Sequence, residues 1–197
     1  MKRLLLITIL LVIISPTSAK NSQATLLIAD KDWFIEDLSF PLKFARDIKI
    51  TGDVNLRFPP GWSKKDNPNF WSYVWAWKID DSDGLSEREL KKNVEIYFDG
   101  LLGLNQKQFI NKSFPNEKTT ATFKLKEATP LTSKYTGEVK TIDTRYTKKP
   151  MTLFVQVEQY LCKEGDKSLL LFRYSPKNYK HSVWNTLSSV KLISTQC

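Results

Sequence analysis

Apolar and polar residues alternate most strongly across residues 70–79. Trp71, Tyr73, Trp75, Trp77 and Ile79 fall on one side, and Phe70, Ser72, Val74, Ala76 and Lys78 on the other. Aromatic and β-branched side chains suit a pleated surface, so this spacing predicts a strand. Asp80-Asp81-Ser82-Asp83-Gly84 supplies the turn residues that end it. The same period of two runs through Leu38, Phe40, Leu42 and Phe44, with Pro41 marking an edge or a bend. It continues at Ile48 and Ile50, pauses at Thr51-Gly52-Asp53, and resumes at Val54, Leu56 and Phe58. Pro59-Pro60-Gly61 then closes a predicted hairpin, with Trp62 packed just beyond. Residues 120–127 predict a strand with Ala121, Phe123 and Leu125 inward, and residues 137–144 a weaker one with Val139 inward. Residues 151–162 and 168–174 predict a second strong hairpin.

Between these strands the period lengthens. Leu90, Val94, Tyr97, Phe98, Leu101 and Leu102 recur at steps of three and four, which places one apolar stripe along a helix over 86–103. Ser86 followed by Glu89 forms a capping box, and Gly103 stands where a helix end favours a left-handed residue. A second helical period covers 179–192, with Val183, Trp184, Leu187 and Val190 on one side. Strands joined by tight turns must be antiparallel, and amphipathic helices need a sheet to bury their stripes. The predicted fold is therefore α+β: a central antiparallel sheet with helices packed on it as a sandwich.

The amino terminus changes the picture of where this domain works. Lys2 and Arg3 precede a run from Leu4 to Ile14 that is apolar except for Thr8. Ser15-Pro16 breaks the run, and Thr17-Ser18-Ala19 offers small residues for cleavage. That order reads as a secretory signal peptide over 1–19. The run is shorter than the roughly 20 residues a membrane span needs, so no membrane span is expected. The chain is expected to be secreted or periplasmic, with 20–197 forming a single α+β domain. Cys162 and Cys197 are the only cysteines, and an oxidising compartment permits one bridge between them.

The formal charge of +9 is unevenly spread. Residues 20–104 hold 12 Lys/Arg against 14 Asp/Glu, whereas 105–197 hold 16 against 7. A basic half attracts anionic partners. Its lysines are mostly single, with Lys148-Lys149 the one tight pair, and this favours a solvated lysine-rich face over a dedicated anion site.

Catalytic signatures are sparse. His181 is the only histidine, no G-x-S-x-G surrounds a serine, and no motif brackets either cysteine. One His and two Cys do not supply a zinc set, so no metal is expected. Asp80, Asp81 and Asp83 suggest a calcium loop, but the EF-hand register places Ile79 and Leu90 at ligand positions; an acidic turn entering a helix is preferred. No cofactor or nucleic-acid motif is evident, so no cofactor and no nucleic-acid partner is expected. The aromatic strand is the one feature that marks a ligand surface. Trp62, Trp71, Tyr73, Trp75 and Trp77 are the candidate binding residues, able to stack on sugar rings or grip an apolar ligand. The alternative is that this face packs beneath the 86–103 helix. An intermediate arrangement buries Trp75 and Trp77 and leaves Trp71 near Trp62 at the rim of a cleft.

At Phe58-Pro59-Pro60-Gly61-Trp62, followed by a strand, a helix and a late helix carrying Trp184, the chain resembles the Mog1p/PsbP-like group of small α+β domains. The resemblance covers roughly residues 38–193 in element order. It implies an antiparallel sheet sandwiched by helices and a binding or assembly role, and it carries over no functional residue. The chain also looks like an exported bacterial protein. The function expected is thus a non-enzymatic binding or assembly module with a protein or glycan partner in the envelope or medium. The alternative is a glycan-acting hydrolase that uses an acidic pair near the aromatic strand.

Overall fold

The computed structural model describes residues 25–104 and 118–195. The predicted signal peptide and Cys197 lie outside the described residues. In chain order the elements are β1 (Leu27–Ile28), β2 (Phe34–Ser39), β3 (Gly52–Phe58), β4 (Tyr73–Ile79), α1 (Glu87–Leu101), β5 (Thr120–Ala128), β6 (Thr132–Asp143), β7 (Lys149–Leu161), β8 (Ser168–Ser175), α2 (Val183–Ser189) and β9 (Lys191–Leu192). Seven strands form one antiparallel sheet in the order β2-β3-β4-β8-β7-β6-β5, and β1 pairs with β9 in a small second sheet.

The α+β sandwich predicted from the sequence, and implied by the Mog1p/PsbP-like resemblance, is not the fold that forms. The described residues are mostly β, and the two helices among them span 15 and 7 residues. Two physical causes account for the difference. The strands run longer than their apolar alternation suggests: β6 and β7 reach 12 and 13 residues because continuous pairing between them recruits polar positions such as Lys134 and Glu158. The predicted 179–192 helix also stops early. Val190 adopts an extended backbone (φ −71°, ψ 127°), and Lys191 and Leu192 pair with Ile28 and Leu27.

Other elements form as their local signals demand. Ser86 and Glu89 make both arms of the capping box at the start of α1. Gly103 has φ +70° just past the helix end. Residues 40–51 leave the strand pattern after Ser39. Phe40, Leu42, Ala45 and Ile48 are buried there without strand pairing, so the predicted first hairpin is closed by a longer connection. Leu125, predicted inward, is exposed; a register shift between Leu125 and Glu127 interrupts the alternation of β5.

The sheet divides the core in two. On one face α1 buries Leu90, Val94, Tyr97 and Phe98 over the aromatic strand. On the other face Val183, Trp184 and Leu187 of α2 pack with Val74, Ala76, Leu169 and Leu171. Arg57 and Arg173 flank Val74 on this second face. Each is buried and answered by a carboxylate: Asp37 at 2.8 Å from Arg57, and Glu158 for Arg173. Pairing is what permits guanidinium groups at such depth.

Candidate functional site

The α1 face carries the aromatic stripe in strict register. Leu56 lies opposite Trp75 and Val54 opposite Trp77, while β8 sets Phe172 and Leu170 on their other side. Trp75 and Trp77 stack with ring centres 4.9 Å apart at 17°, and Tyr97 of α1 meets Trp75 edge-on at 4.2 Å. Both tryptophans are fully buried. Of the five candidate binding residues, these two sit in the core between sheet and helix.

The other three come together elsewhere. Trp62, Trp71 and Tyr73 line a cavity of about 220 Å³ at one end of the same face. Leu56 and Phe58 of β3 and Tyr97 and Leu101 of α1 share its wall, with Phe44 from the β2–β3 connection. Glu36 and Arg145 supply the charged lining. An enclosed apolar space of about 150 Å³ holds benzene and drug-sized sites begin near 300 Å³, so this volume suits a small ligand.

Local geometry explains why these residues converge. Trp71 has φ +52°, an uncommon conformation for a bulky side chain, and it sits where the loop turns into β4. Its N–H donates to the Trp62 carbonyl at 2.8 Å, which ties the two tryptophan-bearing segments together. The ring of Trp62 lies 4.5 Å from that of Phe58, and Phe58 stacks on Tyr73 at 5.4 Å. Tyr146 stands edge-on to Trp62, Phe70 and Trp71, at 6.2, 5.7 and 5.8 Å.

Arg145 and Tyr146 are held in place by Asp143. That carboxylate accepts the N–H groups of Arg145, Tyr146 and Thr147 and the Thr147 hydroxyl, at 3.0, 3.0, 2.7 and 2.8 Å. Burial works to raise the Asp143 pKa, but these donors prevail and hold it below the usual carboxylate value. Arg145 also donates from its Nη2 to the Leu101 carbonyl at 3.0 Å, which anchors the guanidinium to the end of α1.

Glu36 reaches the cavity through strand register. It lies opposite Leu56 in the β2–β3 pair, so it shares the face of Leu56, Phe58 and Tyr73 although β2 is an edge strand. Among the described residues it makes no ion pair. Its charge is felt inside: burial first, then Glu36, raises the Tyr97 hydroxyl pKa, while Arg145 acts to lower it. The Tyr73 hydroxyl is pushed well up by burial and by its neighbours Tyr97 and Tyr174, against the pull of Arg145. Both phenols therefore stay protonated near neutral pH. The Trp71 Nε1–H and the Tyr73 hydroxyl are buried without a hydrogen-bond partner among the described residues.

Among the residues lining the cavity Glu36 is the only carboxylate, whereas the glycan hydrolase reading needs two. The other candidates fall outside this site. Asp81 accepts the Asp83 N–H at 2.9 Å in a tight turn, and Asp80 pairs with Lys167. His181 accepts the Val183 N–H through Nδ1 at 3.0 Å, at the start of α2. Among the described residues no group of three metal-ligating side chains is assembled, and no helix is long and apolar enough to cross a membrane. Cys162 directly follows β7, and its expected partner lies outside the described residues.

No family model, curated protein or solved structure matches the chain. The cavity itself is thus the basis for reading a function.

Sequence reasoning missed Glu36, Phe44, Tyr97 and Arg145 as lining residues. Glu36 carried a partial signal: period two puts it on the same sheet face as Phe34 and Leu38, although both Glu36 and Phe34 are exposed on the edge strand. Tyr97 looked like any member of the apolar helix stripe. Arg145 lies in the short turn that joins the paired strands β6 and β7, and its own stretch of sequence gives no sign that this turn meets the end of α1.

Proposed function

We propose that the protein is an exported, non-enzymatic binding module whose site is the aromatic cavity beside α1. The observation that carries this reading is the convergence of Trp62, Trp71 and Tyr73 with Tyr97 around about 220 Å³ of space, bordered by one carboxylate and one guanidinium. Concave apolar walls with a few charged groups bind and orient small molecules. A single lining carboxylate suits holding a ligand better than the acid-and-base exchange of a glycoside hydrolase. The basic start, apolar run and small residues of 1–19 support export to the periplasm or medium. A glycan or protein partner in that compartment would engage the cavity through a small protruding group.

Titration of the mature protein with small aromatic and aliphatic compounds, followed by tryptophan fluorescence and calorimetry, tests the reading. Saturable binding that disappears in the cavity-filling variant Leu101→Trp is expected. Absence of any binding, or binding unchanged in that variant, overturns it. For export, the intact mass of secreted material should correspond to a start near Lys20; retention of Met1 in that fraction overturns the export part.

A further inference from the structure

We infer that the cavity accepts the quaternary-ammonium end of a zwitterion and that Arg145 takes the ligand's anionic end. This rests on the binding reading above and narrows it to one ligand class.

Three observations lead there. Six of the ten lining residues are aromatic, and ring faces attract a cation through their quadrupole, most strongly in a desolvated site. Glu36, itself exposed, adds a carboxylate to the same lining without an ion-pair partner among the described residues. Arg145 adds a guanidinium that spends one N–H on the Leu101 carbonyl, leaving other donors of its fork for an anion.

The charges decide between ligand classes. A bare cation gains Glu36 and the rings but meets Arg145; a bare anion meets Glu36. A neutral apolar molecule uses neither charge. Only a ligand with both signs answers both groups. The wall chemistry then selects the kind of cation. A primary ammonium carries three N–H donors that need acceptors, and the only anionic acceptor here is Glu36. The buried Trp71 Nε1–H is a donor and offers such a group nothing, so beyond Glu36 the side chains of the lining present it only neutral tyrosine hydroxyls as acceptors. A trimethylammonium group has no donors to satisfy, and its methyl surface packs against Phe58, Trp62 and Tyr97. Glycine betaine and phosphocholine present this cation with an anion a few bonds away.

Calorimetric titration with glycine betaine, phosphocholine, choline and 3,3-dimethylbutanol, the uncharged isostere of choline, tests the inference. Phosphocholine or betaine is expected to bind about tenfold more tightly than dimethylbutanol, an advantage that Glu36→Gln abolishes. Arg145→Gln is expected to remove the preference for the zwitterions over choline. Co-sedimentation with phosphatidylcholine vesicles separates the two sources of this chemistry: vesicle binding assigns a lipid headgroup, and binding of the free solutes alone assigns a soluble zwitterion. Dimethylbutanol binding as tightly as choline and the zwitterions overturns the inference while leaving an apolar binding cavity in place. Failure of all four, together with failure of the small aromatic compounds, overturns both. The comparison of charged and neutral ligands on the unaltered protein keeps the test valid even if a variant misfolds.

Discussion

Gly100 of α1 passes so close to the Phe44 carbonyl that a Cβ built at position 100 would stand 2.1 Å from its oxygen. The helix and the β2–β3 connection touch backbone to backbone at this point. Phe44 packs edge-on against Tyr97 at 5.4 Å, so the contact also sets part of the cavity wall.

Gly100→Ala is therefore expected to destabilise the protein. On helix propensity alone alanine should gain about 1 kcal/mol over glycine. The clash with backbone reverses that sign, because neither main chain yields without moving its element. Urea denaturation of the variant checks this; a midpoint at or above that of the unaltered protein would show that the approach is not tight.

The aromatic strand separates into core and cavity wall, and truncation should tell the two apart. Trp75→Ala or Trp77→Ala removes a fully buried ring from the stack and is expected to cost about 3–5 kcal/mol. Trp62 is only half-buried at the edge of the cavity, so Trp62→Ala should cost clearly less while weakening ligand binding. Thermal melts of the three variants give the comparison. Equal losses at all three positions would mean that Trp62 belongs to the core.

Elements whose signals are local were legible in the sequence. The capping box of Ser86 and Glu89 and the stripe from Leu90 to Phe98 determine α1 within one stretch of chain. The alternation around Trp75 and the paired apolar runs on either side of Gly165 define β4, β7 and β8 in the same way. What escaped depends on partners far along the chain. Val190 ends a helical period because Lys191 and Leu192 find β1, more than 160 residues earlier. The site shows the same division. Trp62, Trp71 and Tyr73 stood out by composition, whereas Arg145 enters through a turn fixed by Asp143. Glu36 lay between: period two puts it on the α1 side of the sheet, where it stays exposed, but its meaning depends on what α1 leaves uncovered.

Cys162 opens the connection between β7 and β8, where its N–H donates to the Lys167 carbonyl at 3.1 Å. A bridge to Cys197 would restrain the chain end against this hairpin. Closing such a loop is expected to contribute about 3–4 kcal/mol on the chain-entropy account. Alkylation of the unreduced, denatured protein should label no thiol, and reduction should lower the melting temperature. Labelling of two thiols before reduction refutes the bridge.

Asp143 links stability to pH and to the cavity at once. Its carboxylate gathers three N–H groups and a hydroxyl in the turn that presents Arg145 and Tyr146. The folded pKa is depressed, so the contribution is fully present above the unfolded value of about 3.9 and is lost as pH falls through the folded value. Asp143→Asn leaves one acceptor oxygen in place of two and exchanges the charge for an amide whose N–H₂ faces donors. The variant is expected to lose about 2 kcal/mol near neutral pH, with ligand affinity falling as Arg145 loosens. The gap between variant and unaltered protein should begin to narrow below about pH 4, where the unfolded carboxyl takes up its proton. It should close only once pH falls below the depressed folded value, where the native carboxyl is protonated as well. Other carboxylates with depressed pKa values, such as Asp80, Glu89 and Glu158, titrate in both proteins and cancel in the difference. Denaturation midpoints measured from acid to neutral pH provide the test. A stability gap that stays constant across that range would show that the charge of Asp143 does not hold the turn.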